Sequence, residues 1–119
     1  MIVAVLDDLM FTSKIRSAAR AAGVTVVFAR SRDAALAAVR HHRPSLVVLD
    51  LNNPRTEPLE IVSALKQPAG DAPSPPLAIL GYVSHVDTAA IEAARAAGVD
   101  TVLARSAFTQ RIGELLQGK

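Results

Sequence analysis

The amino-acid sequence predicts an α/β fold, in which a parallel sheet carries helices on both faces. Short apolar runs alternate with amphipathic, alanine-rich segments along the 119 residues. Such alternation is typical of strands and helices joined by right-handed crossovers. The runs at residues 2–6 and 46–49 are apolar without a break, which indicates strands buried on both faces of the sheet. Because 119 residues is close to the commonest domain size, we expect a single domain over residues 1–119.

The first half of the chain predicts three units of a strand followed by a helix. A strand at residues 2–6 precedes a helix at 10–22, and Gly23 ends that helix. The strand at 24–29 leads to Ser31, which is placed to cap a helix at 32–41. The strand at 45–49 is followed by Asp50, and Pro58 suits the first turn of a helix at 57–67.

The second half predicts two further units. Residues 67–76 are rich in proline, but the strand that follows is needed to complete the sheet, so we expect a long surface loop there. A strand at 77–80 is followed by Asp87, which is placed to cap a helix at 88–97 that ends at Gly98. A strand at 100–103 and a helix at 109–117 complete a set of five βα units.

Composition limits the partners that we expect. The longest apolar runs are far shorter than the roughly 20 residues that cross a bilayer, so no membrane partner is predicted. The chain has no cysteine and no signal-peptide core, which favours a cytoplasmic location. Its formal net charge is only +2, and no aromatic platform accompanies its basic residues, so no nucleic-acid partner is predicted. We interpret the basic cluster as a solvated helix face; it comprises Arg30, Arg32, Arg40, His41, His42 and Arg43.

Three carboxylates directly follow apolar runs. Asp7 and Asp8 come after the first predicted strand, and Asp50 comes after the third. The carboxyl ends of strands form the edge where open α/β sheets place their binding sites. Acidic oxygens at that edge favour a hard divalent cation such as Mg²⁺. The alternative is that Asp7 or Asp8 only caps the following helix.

This pattern resembles the receiver domain of two-component response regulators along the whole chain. In that family an acid pair follows the first strand, matched here by Asp7 and Asp8, and the phosphoryl-accepting aspartate ends the third strand, matched by Asp50. A proline comes four residues after that aspartate, matched by Pro54. The resemblance implies a flavodoxin-like (βα)5 three-layer sandwich with parallel strands in the order 2-1-3-4-5. It also implies that Asp7, Asp8, Asp50 and the backbone carbonyl of Asn52 hold Mg²⁺.

Several positions depart from the family pattern. Gly81 stands where the family has a serine or threonine at the end of the fourth strand, and Tyr82 is expected to narrow access to the site or to lie over it. Val102 stands where the family has an aromatic residue that rotates on activation. Arg105 and Ser106 replace a lysine and a cis proline, and we expect a trans peptide there. Arg105 is either a phosphate clamp with a planar fork or an ordinary surface residue.

Two nearby residues are candidates to compensate for the missing hydroxyl. Ser84 can supply a hydroxyl from a differently shaped loop, and His85 can donate a proton or contact phosphate. The simpler interpretation is that both are polar loop residues leading to the cap at Asp87.

The resemblance implies a regulatory protein rather than an enzyme, although self-phosphorylation from a phosphodonor is compatible with it. We expect a stand-alone receiver without an effector domain that takes a phosphoryl group from a sensor kinase or phosphotransfer protein. Its fourth helix, fifth strand and fifth helix form the expected docking face for an effector or for a homodimer, through Ile91 and Phe108.

Two other hypotheses are weighed against this one. A pseudo-receiver that docks independently of phosphorylation is the alternative, favoured by the altered switch positions. A flavin-binding protein is disfavoured, because a phosphate-binding turn after the first strand needs free N–H groups and Asp7 and Asp8 would repel a phosphate.

Overall fold

The computed structural model describes residues 1–66, 77–84 and 87–118. Its centre is a sheet of five parallel strands in the order β2-β1-β3-β4-β5, as the resemblance implied. The strands are β1 (Ile2–Val5), β2 (Val26–Ala29), β3 (Leu46–Asp50), β4 (Ala78–Val83) and β5 (Thr101–Ala104). No helix within the described residues is long and apolar enough to span a membrane.

Six helices alternate with or follow the strands within the described ranges. They are α1 (Leu9–Ala22), α2 (Arg32–His42), α3 (Pro58–Lys66), α4 (Thr88–Ala97), α5 (Arg105–Gln110) and α6 (Ile112–Leu116). A 3₁₀ turn, Pro54–Thr56, lies between β3 and α3. The helices form two layers, each with its own buried core. Helices α1, α5 and α6 pack on one sheet face, and α2, α3 and α4 pack on the other.

The strand register places the predicted site residues at one edge of the sheet. Val5, the last residue of β1, pairs with Leu49 of β3 on one side and with Ala29 of β2 on the other. All four residues of β1 are buried. The chain segments that carry the acid pair and Asp50 therefore leave the sheet side by side, at the carboxyl ends of adjacent strands.

The predicted helix ends are confirmed by their hydrogen bonds. Ser31 and Asp87 each cap a helix through a side-chain oxygen that accepts a backbone N–H, 3.1 Å from Ala34 N and 3.1 Å from Ala90 N respectively. Gly23 and Gly98 end α1 and α4 with φ of 71° and 116°. This left-handed conformation favours glycine because a Cβ makes it unfavourable.

The largest differences from the predicted element boundaries are at the end of β4 and the start of α5. Strand β4 runs to Val83 instead of ending at residue 80, because Gly81 pairs with neighbours on both sides and leaves the ladder unbroken. Helix α5 begins at Arg105 rather than at residue 109, and α6 follows as a separate helix. The position after Arg105 is a serine. A proline there would disfavour helical geometry at Arg105. No cis peptide occurs in the described residues, as expected for Arg105-Ser106. The predicted loop at 67–76 lies outside them.

Candidate functional site

Asp50 is the last residue of β3 and is partly buried at the carboxyl edge of the sheet. Its Oδ1 accepts a hydrogen bond from the backbone N–H of Asn52 at 2.9 Å. No donor in the described residues hydrogen-bonds to the other carboxylate oxygen, Oδ2. Burial raises the pKa of Asp50 and the charges of Asp7 and Asp8 add to this, while the Asn52 N–H and Arg105 oppose it. The acid therefore combines an oriented oxygen with a second oxygen that has no hydrogen-bond donor among the described residues.

Asp8 is the N-cap of α1. Its Oδ1 accepts hydrogen bonds from the backbone N–H groups of Met10 at 3.0 Å and Phe11 at 3.1 Å. Its Oδ2 accepts a hydrogen bond from Arg105 Nη2 at 2.9 Å. The Arg105 guanidinium, followed by the Phe11 N–H, holds the pKa of Asp8 below its usual range. The helix-cap interpretation therefore applies to Asp8, and both oxygens already interact with donors.

Asp7 has a weaker ion pair at the same edge. Its Oδ2 lies 3.6 Å from Arg55 Nη1, and the Arg55 side chain is 84% exposed. An ion pair of this kind, long and open to water, contributes little to stability. Asp7 is therefore the least restrained of the three carboxylates.

Arg105 extends into this edge from the first position of α5. Besides the ion pair with Asp8, its guanidinium lies over the Phe11 ring, with Cζ 4.2 Å from the ring centroid. Such a cation–π contact adds to the attraction between the two charges. The guanidinium is thus directed to the acidic edge, the carboxyl edge of the sheet that carries Asp7, Asp8 and Asp50, and its role as a phosphate clamp stays a prediction.

The donor chemistry of this edge fits an oxygen-preferring divalent cation. Carboxylates and a backbone carbonyl are the ligands that Mg²⁺ prefers, usually with several waters retained. Burial is the main cause of the raised pKa of Asp50, and the nearby charges of Asp7 and Asp8 add to it. However, no group of three or more His, Cys, Asp or Glu side chains in the described part of the chain is arranged to hold a metal ion. The ligand types are thus present at one edge without a preformed cage.

Tyr82 does not lie over the site, and this sequence expectation is wrong. The side chain is 1% exposed and packs in the core between the sheet, α1 and α5. The Tyr82 ring stacks on the Phe108 ring, with the centroids 5.2 Å apart, and is tilted against the Phe11 ring, with the centroids 5.0 Å apart. The same packing buries Phe108 completely, so Phe108 cannot form part of a docking surface as expected. Burial also raises the pKa of Tyr82, and its hydroxyl has no partner in the described residues.

A larger side chain at Gly81 would need the Leu51 side chain to move. A Cβ built on Gly81 would lie 2.6 Å from Leu51 Cδ1, so the Leu51 side chain fills the space beside this backbone. Val102, which stands where the family has a rotating aromatic residue, is partly buried against the core under α2, α3 and α4. Neither residue offers a hydroxyl or a ring to the acidic edge.

Ser84 follows β4 and interacts with the loop after β3. Its hydroxyl donates to Asn52 Oδ1 at 3.0 Å, and its backbone N–H donates to the same oxygen. Asn52 therefore connects Asp50 to the end of β4, through its own N–H and its side-chain oxygen. The side-chain role of Asn52 was not predicted, since nothing in a loop sequence indicates which side chain crosses to another strand; only its backbone carbonyl was expected at the site. His85 lies outside the described residues.

Comparisons with known proteins agree with this architecture. The family model described as "Response regulator receiver domain" matches residues 2–117. The chain is similar to the signal receiver domain of a response regulator from Bermanella marisrubri, with 25% identity, a TM-score of 0.77 and coverage of 97% of this chain and 96% of that one. A response regulator from Hahella chejuensis shares 22% identity with a TM-score of 0.81 and coverage of 98% and 92%.

A third similar structure is the chemotaxis response regulator CheY4 of Vibrio cholerae. It shares 21% identity, with a TM-score of 0.79 and coverage of 98% of this chain and 95% of that one. No curated protein matches the sequence.

Proposed function

The chain belongs to the response regulator receiver domain family, and from this premise we propose that it acts in a phosphorelay in which Asp50 accepts the phosphoryl group. Receiver domains are regulatory, so the expected output is a change in binding to a partner. The proposed donor is a sensor kinase or a phosphotransfer protein.

The observation that carries the proposal is the state of the two Asp50 oxygens. The Asn52 N–H orients Oδ1, while Oδ2 has no hydrogen-bond partner among the described residues. A carboxylate oxygen without a donor keeps its lone pairs available for attack on phosphorus. The two arginines at this edge pair with other carboxylates, Arg55 with Asp7 and Arg105 with Asp8. Neither forms an ion pair with Asp50.

The proposed reaction is a direct displacement at phosphorus. An Asp50 oxygen attacks the phosphorus of a phosphohistidine, an O–P bond forms, the P–N bond breaks, and the imidazole leaves. Asp7, Asp8, Asp50 and the carbonyl of Asn52 are the residues that would hold Mg²⁺. When bound, that ion neutralises charge on the transferring group. In this proposal Arg105 attracts the phosphoryl oxygens, which its charge acting on Asp50 supports.

Intact-mass measurement after incubation with acetyl phosphate and Mg²⁺ tests the proposal. We expect the mass of one phosphoryl group to be added to the parent protein and to Asp33→Asn, a control at a side chain that is 88% exposed on α2. We expect no addition to Asp50→Asn, which keeps the oxygen that accepts the Asn52 N–H. Equal labelling of Asp50→Asn, or no labelling of the parent, would contradict the proposal.

The proposed docking face for an effector, or for a second copy of the chain, comprises α4, β5 and α5. Ile91 on α4 is only partly buried, so part of its side chain remains accessible for such a contact. Phe108 is excluded because it is buried against Tyr82. The proposed contact therefore depends on α4 and the edge strand β5 more than on α5.

A constitutive docking module is the second candidate, and three packing observations favour it. Leu51 closes the space at Gly81, Tyr82 is held in an aromatic core, and Val102 has no ring to rotate. Amide NMR spectra with beryllium fluoride and Mg²⁺ distinguish the two candidates. Shifts confined to the acidic edge would favour the docking module, whereas shifts across α4 and β5 would favour the phosphorylation switch.

A further inference from the structure

Two contacts fix the Arg105 side chain at the acidic edge. Nη2 lies 2.9 Å from Asp8 Oδ2, and Cζ lies 4.2 Å from the centroid of the Phe11 ring. Both partners belong to the start of α1, where Phe11 is 3% exposed and Asp8 is held as the N-cap. The guanidinium therefore sits between a rigid ring and a carboxylate that is already oriented by two backbone N–H groups.

Arg55 is the natural comparison for this arginine. It carries the same charge at the same edge, but its nitrogen is 3.6 Å from Asp7 and its side chain is 84% exposed. The Arg105 side chain is 34% exposed and reaches both a carboxylate and an aromatic ring. The charge of Arg105 thus acts from within the edge and at shorter range, where water and salt screen it less.

We propose that Arg105 is the resident cation of the acidic edge and competes with a divalent cation for Asp8. The guanidinium and a metal ion both need the negative charge of the same carboxylate, and they repel each other when both are near it. The carboxylates therefore bind a divalent ion only as the Arg105 contact with Asp8 weakens. The inference rests on the proposed function for the choice of Mg²⁺ as that ion.

The same contact connects ion binding to α5. Arg105 is the first residue of that helix, and its carbonyl accepts a hydrogen bond from Thr109 Oγ1 at 2.8 Å. Phe108, three residues on, is stacked on Tyr82 in the core. Withdrawal of the guanidinium from Asp8 therefore removes a contact between α1 and the first turn of α5, without requiring the aromatic stack to move.

Titration of the full chain with Mg²⁺ alone, followed by the amide signals of Asn52 and of the first turn of α5, tests this inference. Arg105→Gln removes the charge and keeps a flexible stem and a hydrogen-bond donor near Phe11. We expect it to bind Mg²⁺ about tenfold more tightly than the parent protein, in line with the loss of one close unfavourable charge. Arg105→Lys keeps the charge and is expected to stay within about threefold of the parent.

Arg55→Gln is the matched control, because it removes the same charge from the same edge without touching Asp8. We expect its affinity for Mg²⁺ to change by less than about twofold, as for an exposed and screened charge. Thermal unfolding of each variant establishes that the fold is intact. In the parent protein, saturation with Mg²⁺ is expected to shift the amide signals of both Phe11 and Arg105.

Three results would overturn the inference. They are an unchanged Mg²⁺ affinity in Arg105→Gln, an equal gain in Arg55→Gln, and the absence of Mg²⁺ binding in every variant. Failure of the proposed function gives a different pattern, in which Arg105→Gln binds Mg²⁺ more tightly but Asp50 gains no phosphoryl mass from acetyl phosphate. The two experiments therefore separate the role of Arg105 from that of Asp50.

Discussion

At the residue scale, three aspartates at one edge of the sheet differ because their surroundings differ. The pKa of Asp8 is lowered, first by the Arg105 hydrogen bond, whereas the pKa of Asp50 is raised, first by burial. Asp7 has only a long ion pair with Arg55. Identical side chains thus divide into a helix cap paired with an arginine, a candidate nucleophile and a loosely paired candidate ligand, because charge partners and desolvation act in opposite directions.

Removal of the Asp8 side chain should reveal its capping role. We expect Asp8→Ala to lower the free energy of unfolding by about 1–2 kcal/mol, since α1 loses its N-cap and Arg105 loses its ion pair. Asp8→Asn keeps a capping oxygen and should lose less than about half as much. Urea unfolding followed by circular dichroism measures both. Equal losses would assign the effect to the charge rather than to the cap.

The Tyr82 hydroxyl gives a second prediction at this scale. It is buried without a partner in the described residues, and a buried polar group of this kind costs stability. We expect Tyr82→Phe to raise the free energy of unfolding by about 1 kcal/mol, because the stacked ring is retained. Tyr82→Leu, which removes the ring, should instead destabilise the protein. A loss of stability in Tyr82→Phe would show that the hydroxyl has a partner in solution.

At the scale of elements, short local signals set the helix ends and neighbouring strands set the strand ends. Asp8, Ser31 and Asp87 each cap a helix through hydrogen bonds to nearby N–H groups. Strand β4, by contrast, continues through Gly81 because β3 and β5 pair with it on both sides. Helix caps depend on a few consecutive residues, whereas a strand end depends on partners far away in the sequence.

Two glycines should respond in opposite directions to the same substitution. Gly98 has φ of 116° and its added Cβ would lie 3.0 Å from Lys66 Cγ, so Gly98→Ala is expected to cost about 1–2 kcal/mol of stability. Gly113 lies within α6 with open space around it, so Gly113→Ala is expected to stabilise by about 0.5–1 kcal/mol. Thermal unfolding measures both, and a change of the same sign in the two variants would contradict the prediction.

At the scale of the whole molecule, the sheet separates two cores and gathers charge at its carboxyl edge. Each face is covered by its own helices, so the apolar residues of β1 and β3 are buried whichever way they point. Polar groups are left to the strand ends, where Asp50 is partly removed from water by the neighbouring elements. Burial of this ionised acid is a cost that the rest of the fold offsets.

That cost predicts a dependence of stability on pH. Because the pKa of Asp50 is raised, the native state binds its proton more tightly than the unfolded chain does. The contribution of Asp50 to the free energy of unfolding therefore increases as pH falls from neutral through its native pKa. Asp8 contributes in the opposite sense, because its pKa is lowered in the native state. Its contribution to the free energy of unfolding is lost as pH falls below 3.8, the ordinary pKa of an aspartate.

Unfolding experiments at several pH values on the parent protein and on Asp50→Asn measure this contribution by difference. We expect the gain in stability on lowering the pH from neutral to mildly acidic values to be smaller in Asp50→Asn. The loss of stability at still lower pH should remain in both proteins. Both proteins contain the same histidines, so the difference between their pH profiles reports the substitution at Asp50. An identical pH profile in the two proteins would contradict the prediction.

The sequence predicted more of the fold than of the site. Unbroken apolar runs in β1 and β3 and the caps at Ser31 and Asp87 are local patterns, so these elements were predicted with the correct type and order. The early start of α5 at Arg105 was missed, because Ala104 precedes this helix without a side-chain cap that would mark its start. The buried positions of Tyr82 and Phe108 were also missed, since both depend on three aromatic rings from different elements meeting in one core.

The sequence by itself determined that acids follow adjacent parallel strands, because apolar patterning fixes which segments form strands and chain direction fixes which end carries the carboxylates. Only the tertiary structure decided which charges those acids meet. Arg105 is 97 positions from Asp8, and their contact exists because α5 and α1 pack on the same face of the sheet. Local sequence specifies local conformation, whereas pairing across such a distance is set by how the layers pack.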